Sequence, residues 1–139
     1  MKSKAPLLLI ELCVMLLVLA LAAALCLQAF VWADSRSDRY ARRDQADIRL
    51  QSAAEILKEC GGEFEEAAAL YGGSAGEDGW TVLYDENWQQ TSEKSCYVLT
   101  AVPVSTGTAG LGAATVKIEY DGEILTEVKV CWQEVGNGA

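Results

Sequence analysis

The chain has 139 residues, 51% of them apolar, and its 11 Lys and Arg against 20 Asp and Glu give a formal charge of −9. It holds no histidine, which removes Ser-His and Cys-His nucleophilic pairs, His-bearing zinc sites and the usual general base near neutral pH. No glycine-rich phosphate loop follows a strand pattern, so the sequence reads as non-enzymatic, with no cofactor and no metal.

Residues 1–6 form a short basic, leader-like tail with Lys2 and Lys4. A run without Gly or Pro follows from Leu7 to Trp32, apolar but for Glu11 and Gln28. At about 1.5 Å rise per residue its 26 residues make a helix of roughly 39 Å, enough to cross a bilayer with some tilt. Pro6 stands at the entrance, where a missing N–H costs a helix nothing. Ala22-Ala23-Ala24 offers small residues for signal cleavage, but the apolar run continues through Trp32, and Leu25 before Cys26 argues against a lipoprotein signal. A retained transmembrane anchor over 7–32 is the expectation, with Trp32 at the outer interface.

Glu11 is the anomaly in this span. A carboxylate near the end of a membrane segment is disfavoured by roughly 1 to 3 kcal/mol, which suggests a partner or a task. The segment Pro6-Leu7-Leu8-Leu9-Ile10-Glu11-Leu12, followed by an uninterrupted apolar helix, resembles the N-terminus of type IV prepilins and of the pseudopilins of type II secretion and competence machines. That family's pattern is Gly, the cleavage point, an apolar residue, Thr, Leu, Ile, Glu and Leu. Aligned on Leu-Ile-Glu-Leu, Glu11 falls on the family's glutamate, Leu7 on the first mature residue and Pro6 on the Gly before the cut.

The resemblance implies a non-enzymatic subunit that assembles with other pilin-like subunits and a membrane assembly machinery, its processing residues being Pro6 and Leu7 and its assembly residues Leu7 and Glu11. The N-terminus would be cytoplasmic and the head extracellular or periplasmic. Two departures stand out. Pro6 replaces the Gly that a prepilin peptidase requires, and without cleavage Lys2, Lys4 or another subunit's amine would have to serve Glu11. The mid-segment Pro of many pilins is also missing. The alternative is an uncleaved single-pass protein whose outward head binds a protein partner.

Residues 33–60 continue the helix, since neither Gly nor Pro interrupts the chain until Gly61-Gly62 supplies a stop. Ala46, Leu50, Ala53, Leu57 and Cys60 recur at spacings of four, three, four and three, a one-sided stripe expected to pack on a following sheet. Arg36 to Arg49 are expected to form helix-face ion pairs with Asp38, Asp44 and Asp47. Residues 33–139 carry 9 Lys and Arg against 19 Asp and Glu, which repels phosphates, so no nucleic-acid partner is expected.

Residues 61–139 read as a small head. A short helix runs from Glu63 to about Tyr71 and is broken by Gly72-Gly73-Ser74-Ala75-Gly76. Strands follow over Trp80 to Tyr84, Cys96 to Val104, Ala113 to Tyr120 and Glu123 to Val135, with Asp121-Gly122 as a type I′ hairpin signal. The expected class is α+β, a long N-terminal helix packed on an antiparallel meander of about four strands, with the pilin-like layout that the resemblance implies.

Cys13 and Cys26 are expected to act as small hydrophobes in the span. Cys60, Cys96 and Cys131 lie outside it, where one intrachain bridge at most can form: Cys96 with Cys131, Cys60 with either, or none. Glu77, Asp78, Asp85 and Glu86 can be imagined around calcium, but no EF-hand spacing exists and a solvated loop is the preferred reading.

Overall fold

In a computed structural model of the chain, residues 4–135 are described. The leader-like tail up to Ser3, Lys2 included, lies outside them. Helix α1 spans Ala5–Glu59 and α2 spans Phe64–Tyr71. Five strands follow: β1 Ser74–Gly76, β2 Gly79–Tyr84, β3 Tyr97–Val104, β4 Leu111–Tyr120 and β5 Glu123–Gln133. They form one open sheet in the order β1-β2-β3-β4-β5, every neighbouring pair antiparallel. The architecture is α+β, a long N-terminal helix packed on a five-stranded antiparallel sheet.

The chain divides into two units, Met1–Ala41 and Arg42–Ala139. In the first, α1 is exposed throughout its described length. The ladder opens with the Leu8 N–H donating to the Lys4 carbonyl at 3.2 Å, so Pro6 sits in the first turn where its missing donor goes unnoticed. Leu, Val and Ala then propagate the helix with no residue to break it.

In the second unit the helix becomes one-sided. Ala46, Leu50, Ala53, Leu57 and Cys60, the stripe read from the sequence, are all buried. They join a core with Trp80, Val82 and Tyr84 of β2, Tyr97, Leu99 and Ala101 of β3, and Ala114, Val116 and Ile118 of β4. Period-2 burial along β2 aims alternate side chains at the helix. Alanines on both partners, Ala46 and Ala53 on the helix with Ala101 and Ala114 on the sheet, leave room for the large rings beside them.

The helix stops where two glycines take left-handed conformations, φ 61° at Gly61 and 88° at Gly62. Gly61 N–H donates to the Lys58 carbonyl at 3.0 Å and Gly62 N–H to the Leu57 carbonyl at 2.9 Å, the paired bonds of a Schellman cap. The Asp121-Gly122 turn has φ 51° and 80°, as a type I′ hairpin requires, and it joins Tyr120 directly opposite Glu123.

The sheet holds one strand more than the expected four. β1 falls in the glycine-rich stretch read as a break, and it pairs Ser74 with Thr81 and Gly76 with Gly79 across a tight turn at Glu77-Asp78. The glycines before and within it weaken any strand signal, yet the close sheet contacts fall on the two just ahead of it. A Cβ on Gly73 would collide with the Thr81 carbonyl, and the Trp80 indole N–H holds the Gly72 carbonyl at 2.9 Å.

Candidate functional site

The residues singled out from the sequence fall into separate places. Pro6, Leu7 and Glu11 share the first two turns of α1, and all three are exposed, Leu7 by 73%. Among the described residues nothing pairs with the Glu11 carboxylate. The one ion pair there joins Lys117 Nζ to Glu119 Oε1 at 2.9 Å, so Lys4 does not serve as its counter-ion within the chain. Around Glu11 the surface is a continuous apolar cylinder: Leu7 to Leu12, Val14 to Leu19, and on through Leu27, Phe30 and Trp32 stand open. The helix is long and apolar enough to cross a membrane, and none of its most apolar 18-residue window is buried within the chain.

The cysteines are five free thiols. Cys96 adjoins Tyr97, which pairs with Tyr120, whereas Cys131 pairs with Ala113, itself opposite Val104. Those positions lie at opposite ends of β3, about 25 Å apart at roughly 3.3 Å per residue, beyond the reach of a disulfide. Cys131 is exposed on the sheet face opposite its buried neighbour Val130, while Cys60 is buried with the helix stripe. None of the three pairings considered from sequence is brought together. Burial pushes the Cys60 thiol up, and the nearby Glu66 and Glu59 carboxylates push it further, so it stays protonated and poorly nucleophilic.

One cluster that sequence reasoning missed lies at the sheet end where β2 stops at Tyr84, β3 starts at Tyr97 and β4 stops at Tyr120. Four rings run in a row: Tyr84 to Trp88 at 5.9 Å, Trp88 stacked on Tyr97 at 3.8 Å, and Tyr97 to Tyr120 at 5.0 Å. Tyr71 joins from α2, meeting Trp80 edge-on at 5.6 Å and the Tyr84 hydroxyl at 2.7 Å. Trp88 reaches its place at φ 60°, rare for a side chain of this size. The Asp85 carboxylate holds that turn by accepting from the Asn87 and Gln89 amides at 2.8 and 3.0 Å.

Two helix arginines cover the row. Arg42 lies over Tyr120 at 4.9 Å and Arg49 over Tyr84 at 5.8 Å, while Arg36 stacks on Trp32 at 4.2 Å in the first unit. The ion pairs expected with Asp38, Asp44 and Asp47 do not form among the described residues; these three arginines lie on aromatic faces instead, where a weakly hydrated planar cation gains from the ring quadrupole. Arg42 and Arg49 are seven apart, flanking buried Ala46, and that spacing was the available signal. Burial pushes Tyr84 well above the usual phenol range, helped by the Tyr71 hydroxyl and opposed by Arg49. Tyr97 is raised for the same first reason. These phenols stay neutral, which suits a clamp between helix and sheet.

Among the described residues no group of three or more His, Cys, Asp or Glu is arranged to hold a metal ion, and one Asp85 oxygen is spent on its own turn. Compared with models of protein families, with curated proteins and with solved structures, the chain matches none.

Proposed function

We propose that this chain is a non-enzymatic, single-pass membrane subunit that assembles through its N-terminal helix, as subunits of type IV pilus, type II secretion or competence-type filaments do. One observation carries the reading: a carboxylate in Leu-Ile-Glu-Leu context, unpaired among the described residues, on a fully exposed apolar helix that leads without a break into a small α+β head. An unpaired charge in hydrocarbon gains most from a partner helix that supplies a cation, so Glu11 would fix the register of neighbouring subunits. The partners would be other pilin-like subunits and the membrane machinery that extracts them. The N-terminus would lie in the cytoplasm and the head outside.

Pro6 favours a second reading, the uncleaved single-pass protein whose head binds a protein partner, because it occupies the place of the Gly that the peptidase reads. Mass spectrometry of membrane-extracted protein separates the two. Loss of Met1 to Pro6 supports filament maturation, and an intact N-terminus rules out standard processing. For the assembly role, Glu11→Ala is expected to insert normally and to lose crosslinking between subunits; unchanged crosslinking would refute the pairing.

A further inference from the structure

The span holds a second polar side chain, Gln28, one turn before Trp32, and its carboxamide has no hydrogen-bond partner among the described residues. We propose that a second copy of this chain docks on the Gln28 face of α1, the two carboxamides exchanging reciprocal hydrogen bonds. This rests on the membrane insertion in the reading above and not on the role of Glu11.

The occupant follows from the chemistry of the group. A carboxamide carries two donors and an acceptor, so it satisfies an identical group across a two-fold axis, which a carboxylate facing its own copy does not. One turn inside the interface that Trp32 marks, water competes less for these bonds than outside, and a polar side chain there seeks another helix. Two copies inserted in the same direction bring Gln28 to the same depth, as a symmetric contact demands. Ala24 lies one turn away on the same face and puts only a methyl group between the backbones. Glu11 is 17 residues from Gln28, about 25 Å along the helix, so a crossing centred near Ala24 and Gln28 lets the two Glu11 carboxylates diverge.

The test uses the full chain, fused after Ala139 to a donor or an acceptor fluorescent protein and co-expressed at low level. Energy transfer is read in the isolated membranes, and resistance to alkaline extraction reports insertion. The unaltered chain is expected to show transfer. Gln28→Leu should stay inserted while associating roughly 3- to 30-fold more weakly, the range measured for interhelical polar contacts. Gln28→Asn, which keeps the amide, should retain most of the signal. Undiminished transfer in inserted Gln28→Leu, or no transfer in the unaltered chain, overturns the proposal, and a partner of other chemistry at this face gives the second result. Extraction of the unaltered chain at alkaline pH would overturn membrane insertion itself, whereas a negative result for Glu11→Ala leaves the Gln28 contact standing.

Discussion

From Ala5 to Ala41 helix α1 buries nothing, whereas from Arg42 to Glu59 it buries Ala46, Leu50, Ala53 and Leu57 within one fold, with Cys60 buried just past its end. The two halves share a backbone conformation and differ in what covers their side chains. In the second half, apolar residues are few, spaced for one face and small where the sheet comes close. In the first, from Leu7 to Trp32, they surround the axis, a distribution that no single sheet can cover and that suits lipid or other helices. Helix formation is thus common to both regions, while tertiary stability belongs to one.

The largest expected effect tests that division. Trp80 is fully buried, meets Tyr71 edge-on and fastens the Gly72 carbonyl. Trp80→Ala is expected to cost the head about 3 to 5 kcal/mol, whereas Leu17→Ala, on the exposed half, should leave head unfolding unchanged. Calorimetry of the full chain in detergent micelles measures both. Equal losses would mean that the exposed half contributes to the folding of the head.

This contrast also explains what the sequence disclosed. The stripe from Ala46 to Cys60 and the Gly61-Gly62 stop were legible because both follow from helical period and left-handed glycine, which need no partner to be read. The Asp121-Gly122 hairpin was legible for the same local reason. β1 was not, since the glycine just ahead of it, Gly73, is favoured by the close approach of the Thr81 carbonyl, a contact that only the folded sheet creates. Of the candidate site, Glu11 and the apolar span could be read from hydropathy. The arginine and tyrosine cluster could not, because Arg42 and Arg49 meet rings from strands 35 to 78 residues later, and the aspartates beside them offered a nearer pairing.

An intermediate effect comes from the paired hydroxyls. Tyr84→Phe removes the 2.7 Å contact with Tyr71 and leaves a half-buried hydroxyl there, a loss of about 1 kcal/mol near neutral pH. Its pH dependence is more telling. Tyr84 is raised in the folded head above its unfolded value of 10.0, so the folded state keeps its proton where the unfolded chain gives it up. Stability should be fully present below pH 10 and should fall as the pH climbs past it. Denaturant titrations of the full chain from pH 8 to 11 are expected to show a shallower alkaline loss in Tyr84→Phe; parallel curves would show that Tyr84 ionises alike in both states.

The smallest expected effect concerns the cations over the rings. Arg42 is exposed and lies over Tyr120, with no carboxylate within ion-pair range among the described residues. A stacked guanidinium at such a site contributes about 0.5 to 1 kcal/mol, through ring attraction and through contact of its methylenes. Arg42→Lys keeps the charge and loses the planar stack, so it should recover only part of what Arg42→Ala loses. Were the arginine acting as a plain charge toward Asp38, Lys would restore the whole effect and added salt would erase it. Insensitivity to salt in the unaltered chain, with incomplete rescue by Lys, therefore identifies the ring contact as what ties this stretch of helix to the sheet. The same comparison at Arg36, over Trp32, is expected to leave the unfolding of the head untouched, because that pair lies on the side of Ala41 where the helix carries no fold.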